Sequence, residues 1–329
     1  MEDFKKLFSD FSALKVGVIG DVMLDSYIWG HVDRISPEAP VPIILLEKRE
    51  QRIGGAGNVA LNCRSLGAAV SILSVSGDDR NGEALIDLFH QNNIDTTYLI
   101  KSKERVTTNK IRIISRNQQM MRLDDEITTD ISSSDEDLFL QAVSAYIQKE
   151  SPQVLILEDY NKGVLTERII SEIIQLCKQK GIVTAVDPKR KNFFAYKGVD
   201  IFKPNLKEIK EALNFIGEDI NLFVLQQFHK EMQAQLQHRI SFITLSDKGV
   251  FYQQDNHAAI IDSHIRSIAD VSGAGDTVIA VAAMVYAATK DVKRMAAIAN
   301  IAGGLVCEEV GTVAINAETL QQECELLIV

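Results

Sequence analysis

Short β-rich runs that end in polar residues recur along this chain, each followed by an amphipathic stretch. That alternation limits the fold more than any other feature. KVGVIGD (15–21), AAVSILSVSGDD (68–79), SPQVLILEDY (151–160), GIVTAVDPK (181–189), GVDIFKPN (198–205) and RISFITLS (239–246) are the strand-like runs. NVALNCRSLG, NGEALIDLFHQNN, TERIISEIIQLCKQKG and NLKEIKEALNF are helical in pattern. Such a chain is an α/β protein with a mostly parallel sheet and helices on both faces. Ligands of these sheets bind beyond the carboxyl ends of the strands, where Asp21, Asp159, Asp187, Asn205 and Ser246 fall.

Two segments depart from the alternation. Residues 26–48 are rich in β-formers and proline, and residues 105–123 read as two strands around a polar turn at 115–118. Together they predict a small antiparallel sheet projecting from the main one as a lid. The acidic stretch 124–137 reads as a solvated connector with a Ser or Asp capping the next helix.

The 329 residues carry a net charge of −10, which argues against nucleic-acid or anionic-membrane partners but leaves small anionic substrates open. The longest apolar run, 278–289, is about half of a membrane span, and the N-terminus lacks the apolar core of a signal peptide. The four cysteines form no C-x-x-C pair, so a clustered zinc site is excluded and reduced thiols are expected. These features predict a cytoplasmic protein.

No P-loop and no dinucleotide G-x-G-x-x-G fingerprint is present, so a nucleotide phosphate must be held another way. DVSGAGDT (270–277) offers one. Its glycines let backbone N–H groups converge at the start of a helix, an anion site, with Asp276 in the first turn as a proton acceptor that the helix terminus should keep ionised. The plain alternative is a glycine turn with an aspartate capping a core helix. RIGGAGNVALN (52–62) is a second glycine cluster. Gly54 and Gly55 permit close backbone approach and Asn58 could bind sugar hydroxyls, or Asn58 simply caps a helix. In KPNLKE (203–208), Asn205 and Glu208 have the spacing of a capping box, or they face magnesium and phosphates through water. TLSDKG (244–249) is a hairpin turn or a nucleotide turn. Lys110, Arg112, Arg116 and Arg122 place like charge on the lid hairpin, enough to hold a phosphate or only to solubilise it.

In this order the motifs resemble the ribokinase-like, phosphofructokinase-B family of sugar kinases over about 16–313. Within it the similarity is nearest to the heptose kinase domains of lipopolysaccharide core synthesis. GGAGN (54–58) and DVSGAGDT (270–277) carry the family likeness. GDVMLDSYIWG (20–30), RISPEAPVP (34–42), SRNQQMMRLD (115–124), DYNKG (159–163), DPK (187–189) and KPNLKE carry the narrower one. The resemblance implies one kinase domain over 1–329, with a lid at about 26–48 and 105–123. It implies Asp276 as general base, with Gly273, Ala274 and Gly275 as an anion hole. Asp21, Gly54, Gly55 and Asn58 would hold the sugar, and Lys189, Arg112, Arg116 and Arg122 its phosphate. Asn205, Glu208, Ser246, Gly249 and Asn300 would serve ATP, with Glu208 reaching Mg2+ through water. A place for a monovalent cation such as K+ is implied beside Asp270 and Ser272, and a homodimer through the lid. Ser272 stands where a threonine is expected, and Glu158 where a small residue is commoner. The H-x-G-H motif of an attached nucleotidyltransferase is absent from these residues, so a kinase alone is expected.

The function implied is ATP-dependent phosphorylation of the anomeric hydroxyl of D-glycero-β-D-manno-heptose 7-phosphate. Two alternatives stay open: a kinase of the same fold for ribose, fructose 1-phosphate or a nucleoside, and a catalytically silent sugar-binding protein. A dehydrogenase of similar pattern lacks its fingerprint here.

Overall fold

The computed structural model describes residues 4–116, 118–264 and 266–328; Asn117 of the SRNQQ motif lies outside them. Thirteen strands are present among these residues: β1 (Lys15–Gly20), β2 (Val22–Ile35), β3 (Pro42–Gly55), β4 (Ala69–Gly77), β5 (Leu99–Ser102), β6 (Asn109–Ser115), β7 (Gln118–Asp125), β8 (Val154–Glu158), β9 (Val183–Asp187), β10 (Ile201–Phe202), β11 (Ile240–Thr244), β12 (Val250–Gln254) and β13 (His257–Ile261). Nine of them form the main sheet in the order β13-β12-β11-β10-β9-β8-β1-β4-β5. It is parallel from β5 to β11, and β12 and β13 add an antiparallel edge.

The central strands are covered on both faces, which is why VLILE and VTAVD read as continuous apolar runs. Helices α1 (Phe4–Asp10), α2 (Ala56–Ser65), α3 (Arg80–Gln91), α8 (Ala274–Thr289), α9 (Val292–Val306) and α10 (Ala317–Leu327) contribute to one core. Helices α4 (Ser133–Glu150), α5 (Glu167–Lys180), α6 (Leu206–Ala212) and α7 (Leu222–Leu236) pack in the other. Local chemistry sets their ends: Ser132 caps α4, as the acidic connector predicted, Thr166 caps α5, and Gly181 ends α5 in the left-handed region. Helix α8 is buried all round from Asp276 to Tyr286, and its small side chains let α9 approach closely. A Cβ at Gly303 would stand 2.6 Å from Val278 Cγ2. No helix among the described residues is long and apolar enough to cross a membrane, and the four cysteines are free thiols.

The remaining strands form a second, small sheet in the order β3-β2-β6-β7, the element expected to serve as a lid. The hairpins β2–β3 and β6–β7 are antiparallel, as tight turns require, and a parallel pairing of β2 with β6 joins them. Period-2 alternation gives the lid one polar face, with Asp25, Tyr27, Arg52, Lys110, Arg112, Arg122 and Asp124 in register. The other face carries Ile28, Ile111, Ile113, Met121 and Leu123.

Candidate active site

The carboxyl ends of β1, β8, β9 and β10 converge on the N-terminus of α8. Gly273 is the residue before that helix, with φ of 79°. A Cβ there would stand 2.8 Å from Asn58 Nδ2, so a side chain is excluded both by conformation and by α2. Of the predicted anion-hole amides, Ala274 N–H makes a 3.3 Å bond to Val271 O.

Asp276 follows in the first turn, 4% exposed. Its Oδ2 accepts from Asn58 Nδ2 at 2.7 Å and its Oδ1 from the Tyr160 hydroxyl at 2.8 Å. Burial pushes its pKa up to about 6, while the bonds from Asn58 and Tyr160 pull it down. Desolvation is the largest influence on the group. Asn58 is not an N-cap, since Gly55 occupies that position; Asn58 lies inside α2 and points across to α8. Asn62, one turn on, donates to Asn58 O and accepts from Thr277, completing a polar seam between the two helices.

Beyond Gly275 lies an ion pair. Lys203 Nζ is 2.7 Å from Asp187 Oδ2, both side chains buried. A Cβ at Gly275 would stand 3.6 Å from that oxygen and 3.8 Å from the ammonium. Burial alone would raise Asp187; Lys203 and Lys189 more than offset it and hold the carboxyl below its ordinary value. Lys189 reaches Glu208 Oε1 at 2.8 Å and lies 5.7 Å from the centre of the Tyr160 ring. Its contacts are therefore with the strand-end cluster rather than the lid arginines. Asn205 and Glu208 form the reciprocal capping box of α6, at 2.8 and 2.9 Å. The capping alternative is thus realised, and Glu208 is at the same time tied to Lys189. Glu158 is fully buried beside this group with neither oxygen hydrogen-bonded. Burial, then the negative neighbours Asp187 and Asp276, hold its carboxyl well above the ordinary range.

Asp21 has its carboxylate on the backbone of the next loop, accepting from the N–H groups of Tyr160, Lys162 and Val164 at 2.9, 3.0 and 3.0 Å. The carboxylate beneath the lid is Asp25, which the sequence reading missed. It accepts from the Arg112 guanidinium, and a Cβ at Gly54 would stand 2.3 Å from its Oδ2. Gly54 thus leaves room for Asp25, and Gly55 is the N-cap of α2. Arg112 and Arg52 flank the Tyr27 ring, their guanidinium carbons 5.3 and 5.0 Å from its centre. Arg52, also missed, donates to Val310 O and Thr312 O, each at 3.4 Å. The other lid arginines are not brought to this point. Arg122 is half exposed and doubly bonded to Asp124, and Arg116 sits exposed on the hairpin turn with φ of 47°.

On the far side, Ser246 and Gly249 bound the turn between β11 and β12, both with positive φ. Asn300 of α9 donates to Asp262 O at 2.9 Å. A cavity of about 400 Å³ opens there, lined by Leu206, Leu245, Asp247, Lys248, Asp262 and Ser263. Asp270 accepts from Ser272 N–H and Oγ–H and from Gly311 N–H, closing the glycine turn against the 310–312 loop.

The chain as a whole is similar to known proteins. The family profile described as pfkB family carbohydrate kinase covers residues 13–320. The bifunctional protein HldE of Methylobacillus flagellatus is 39% identical over 312 residues, 94% of this chain and 62% of that protein. HldE of Desulfatibacillum aliphaticivorans is 36% identical over 318 residues, 96% of this chain and 64% of its own length. The chain thus spans less than two thirds of these relatives. Among solved structures, phosphofructokinase-2 from Escherichia coli in complex with potassium superposes with a TM-score of 0.76 at 16% identity, covering 94% of this chain and 97% of that one. Arabidopsis thaliana ribokinase complexed with ribose and ATP gives 0.72 at 16% identity, covering 94% and 99%. At such identities the structural likeness carries the ribokinase-like fold alone.

Proposed function

The chain belongs to the pfkB family of carbohydrate kinases, phosphotransferases acting on a sugar hydroxyl, and from that premise we propose that it phosphorylates the anomeric hydroxyl of D-glycero-β-D-manno-heptose 7-phosphate. The observation that carries the reading is Asp276: a buried carboxylate at a helix N-terminus, behind a glycine turn and beside a lysine. The narrower substrate rests on RISPEAPVP and SRNQQ, motifs the fold itself does not need, and on the HldE relatives.

Asp276 takes the proton of the anomeric hydroxyl. The hydroxyl oxygen forms the new bond to the γ-phosphorus of ATP, and the bond to the β,γ-bridging oxygen breaks, its electron pair leaving with ADP. The amides of Gly273 and Gly275 and the Lys203 ammonium would face the phosphoryl oxygens on which charge develops, joined by the Ala274 amide once it leaves Val271 O. Asp25 and Asn58 orient the sugar hydroxyls, Arg112 its phosphate, and Asp21 holds the loop that carries Tyr160. Ser246, Gly249 and Asn300 shape the adenosine end.

The family implies ATP and a divalent metal. A magnesium ion would arrive on the nucleotide phosphates and keep most of its waters. Glu208 would hold such an ion through water, and the ion would supply neutralisation of phosphate charge. A K+ ion would belong beside Asp270 and Ser272. We read the chain as one kinase domain with its lid acting in the cytoplasm, and the exposed Met121 and Leu123 on the lid's outer face as part of a homodimer contact.

The test is magnesium- and ATP-dependent ADP release across heptose 7-phosphate, ribose, fructose 1-phosphate and a nucleoside, with wild type and Asp276→Asn. Turnover confined to heptose 7-phosphate and lost in the variant supports the reading. Turnover on another sugar replaces the substrate. Tight sugar binding without turnover on any of them makes the protein a sugar sensor.

A further inference from the structure

Tyr160 takes no part in the bond-making or bond-breaking steps, yet it touches the base directly. It stands just after β8, on the loop whose backbone Asp21 holds through three N–H groups, one of them its own. Its hydroxyl donates to Asp276 Oδ1 at 2.8 Å, opposite the Asn58 amide on Oδ2. Its ring lies under the Lys189 ammonium, which pairs with Glu208. Two donors from two different elements thus grip one carboxylate, and each oxygen keeps a lone pair for the sugar hydroxyl.

We propose that Tyr160 is a positioning residue for the base: its hydroxyl fixes the Asp276 carboxylate and offers a permanent hydrogen-bond donor to the charged form. The inference rests on Asp276 being the base. The charged and titratable groups facing Asp276 are Asp187 on β9 and Lys203 after β10, with Glu158 on β8 and Lys189 behind the Tyr160 ring. Asp187 and Glu158 oppose its ionisation and Lys203 favours it, so the two neutral donors supply much of what keeps a fully buried carboxylate charged. Burial and the neighbouring carboxylates hold the Tyr160 phenol well above its ordinary value, so it does not stop donating at any working pH.

The experiment compares wild type, Tyr160→Phe and a protein carrying 3-fluorotyrosine at position 160, whose phenol is the stronger donor. The first readout is the acidic limb of the kcat/KM–pH profile. The second is the 13C titration of the Asp276 carboxyl in the free protein, its signal identified by loss in Asp276→Asn. For Tyr160→Phe the limb and the titration both move up by about one pH unit, lowering kcat/KM about fivefold more at pH 6 than at pH 8.5. The fluorotyrosine protein titrates at or below the wild-type position. A loss of activity equal at all pH values, with the titration unmoved in both proteins, overturns the proposal and leaves Tyr160 a packing residue. The free-protein titration needs no sugar, so it judges this inference even where the substrate reading fails.

Discussion

Lys203 Nζ lies 2.7 Å from Asp187 Oδ2, and the pair is sealed beneath Gly275 at the start of α8. A buried pair of this kind is poor evidence of stability, because desolving two charges offsets most of their attraction. Its position instead puts a cation against the site where phosphoryl charge would develop. Lys203→Met is therefore expected to lower kcat by about 10²-fold or more. It also takes from a buried carboxylate the nearer of its two cations, leaving Lys189 at 3.5 Å, and so should cost less than the about 3–5 kcal/mol of a fully stranded charge. The double variant Asp187→Asn/Lys203→Met should recover most of the melting temperature and none of the activity. Recovery of both would make the pair purely structural.

Asp276 predicts a pH dependence with a definite sign. Its folded pKa is raised from 3.8 to about 6, so the folded state binds the proton more tightly than the unfolded chain. Stability from this group is full below the unfolded value and falls as pH rises through the folded one. Replacing the carboxyl with the non-titrating amide of Asp276→Asn removes that dependence. The melting temperature of wild type minus that of the variant should therefore decrease between pH 4 and pH 7. Activity runs the opposite way, rising through pH about 6 as the base ionises, and the variant should lose about 10²–10⁴-fold in kcat. Calorimetry of both proteins at the two pH values, with initial rates across the range, checks both signs.

The strand–helix alternation and the placing of Asp276 were legible because both are local: period, glycine spacing and caps lie within a few residues of one another. What the sequence did not reveal are meetings across the chain. Asp21 and Asp25 are four residues apart in GDVMLD, and nothing local tells them apart. Only the fold shows that Asp21 is consumed by the 160–164 backbone while Asp25 meets Arg112 under the lid. Lys203 was not singled out from KPNLKE, and its burial depends on Asp187 from a different strand. Tyr160 reads as the end of an apolar strand until Asp276 arrives from 116 residues away. Asn205 and Glu208 show the reverse: the capping box was legible, while the tie to Lys189 was not.

Gly273 gives a sharper steric prediction. It sits at φ of 79°, and a Cβ would approach Asn58 Nδ2 to 2.8 Å and Thr312 Cγ2 to 3.1 Å. Gly273→Ala combines left-handed strain of about 1–2 kcal/mol with displacement of the amide that holds Asp276. Stability should fall by about that amount in denaturant titration. The fall in kcat should be larger than the stability loss explains, because the base loses a hydrogen bond even in molecules that stay folded.

The lid arginines separate two roles that their like charge conceals. Arg112 is largely buried, bound to Asp25 and placed over Tyr27, whereas Arg122 is half exposed and neutralised by Asp124 on its own strand. An exposed pair of that sort contributes about 0–1 kcal/mol, so Arg122→Ala should change KM for the phosphorylated sugar less than about twofold. Arg112→Ala removes a charge-assisted contact from a desolvated position, worth about 1.5–3 kcal/mol, and should raise that KM by about 10–100-fold. Arg112→Lys should recover little, since an ammonium cannot reproduce the planar fork. Asp25 loses its partner in the alanine variant, so stability must be measured alongside. A KM for ATP that stays level while that for the sugar climbs locates the effect at the sugar end. Equal sensitivity of both arginines would instead mean that the lid holds its phosphate through general positive charge rather than through the Asp25-anchored guanidinium.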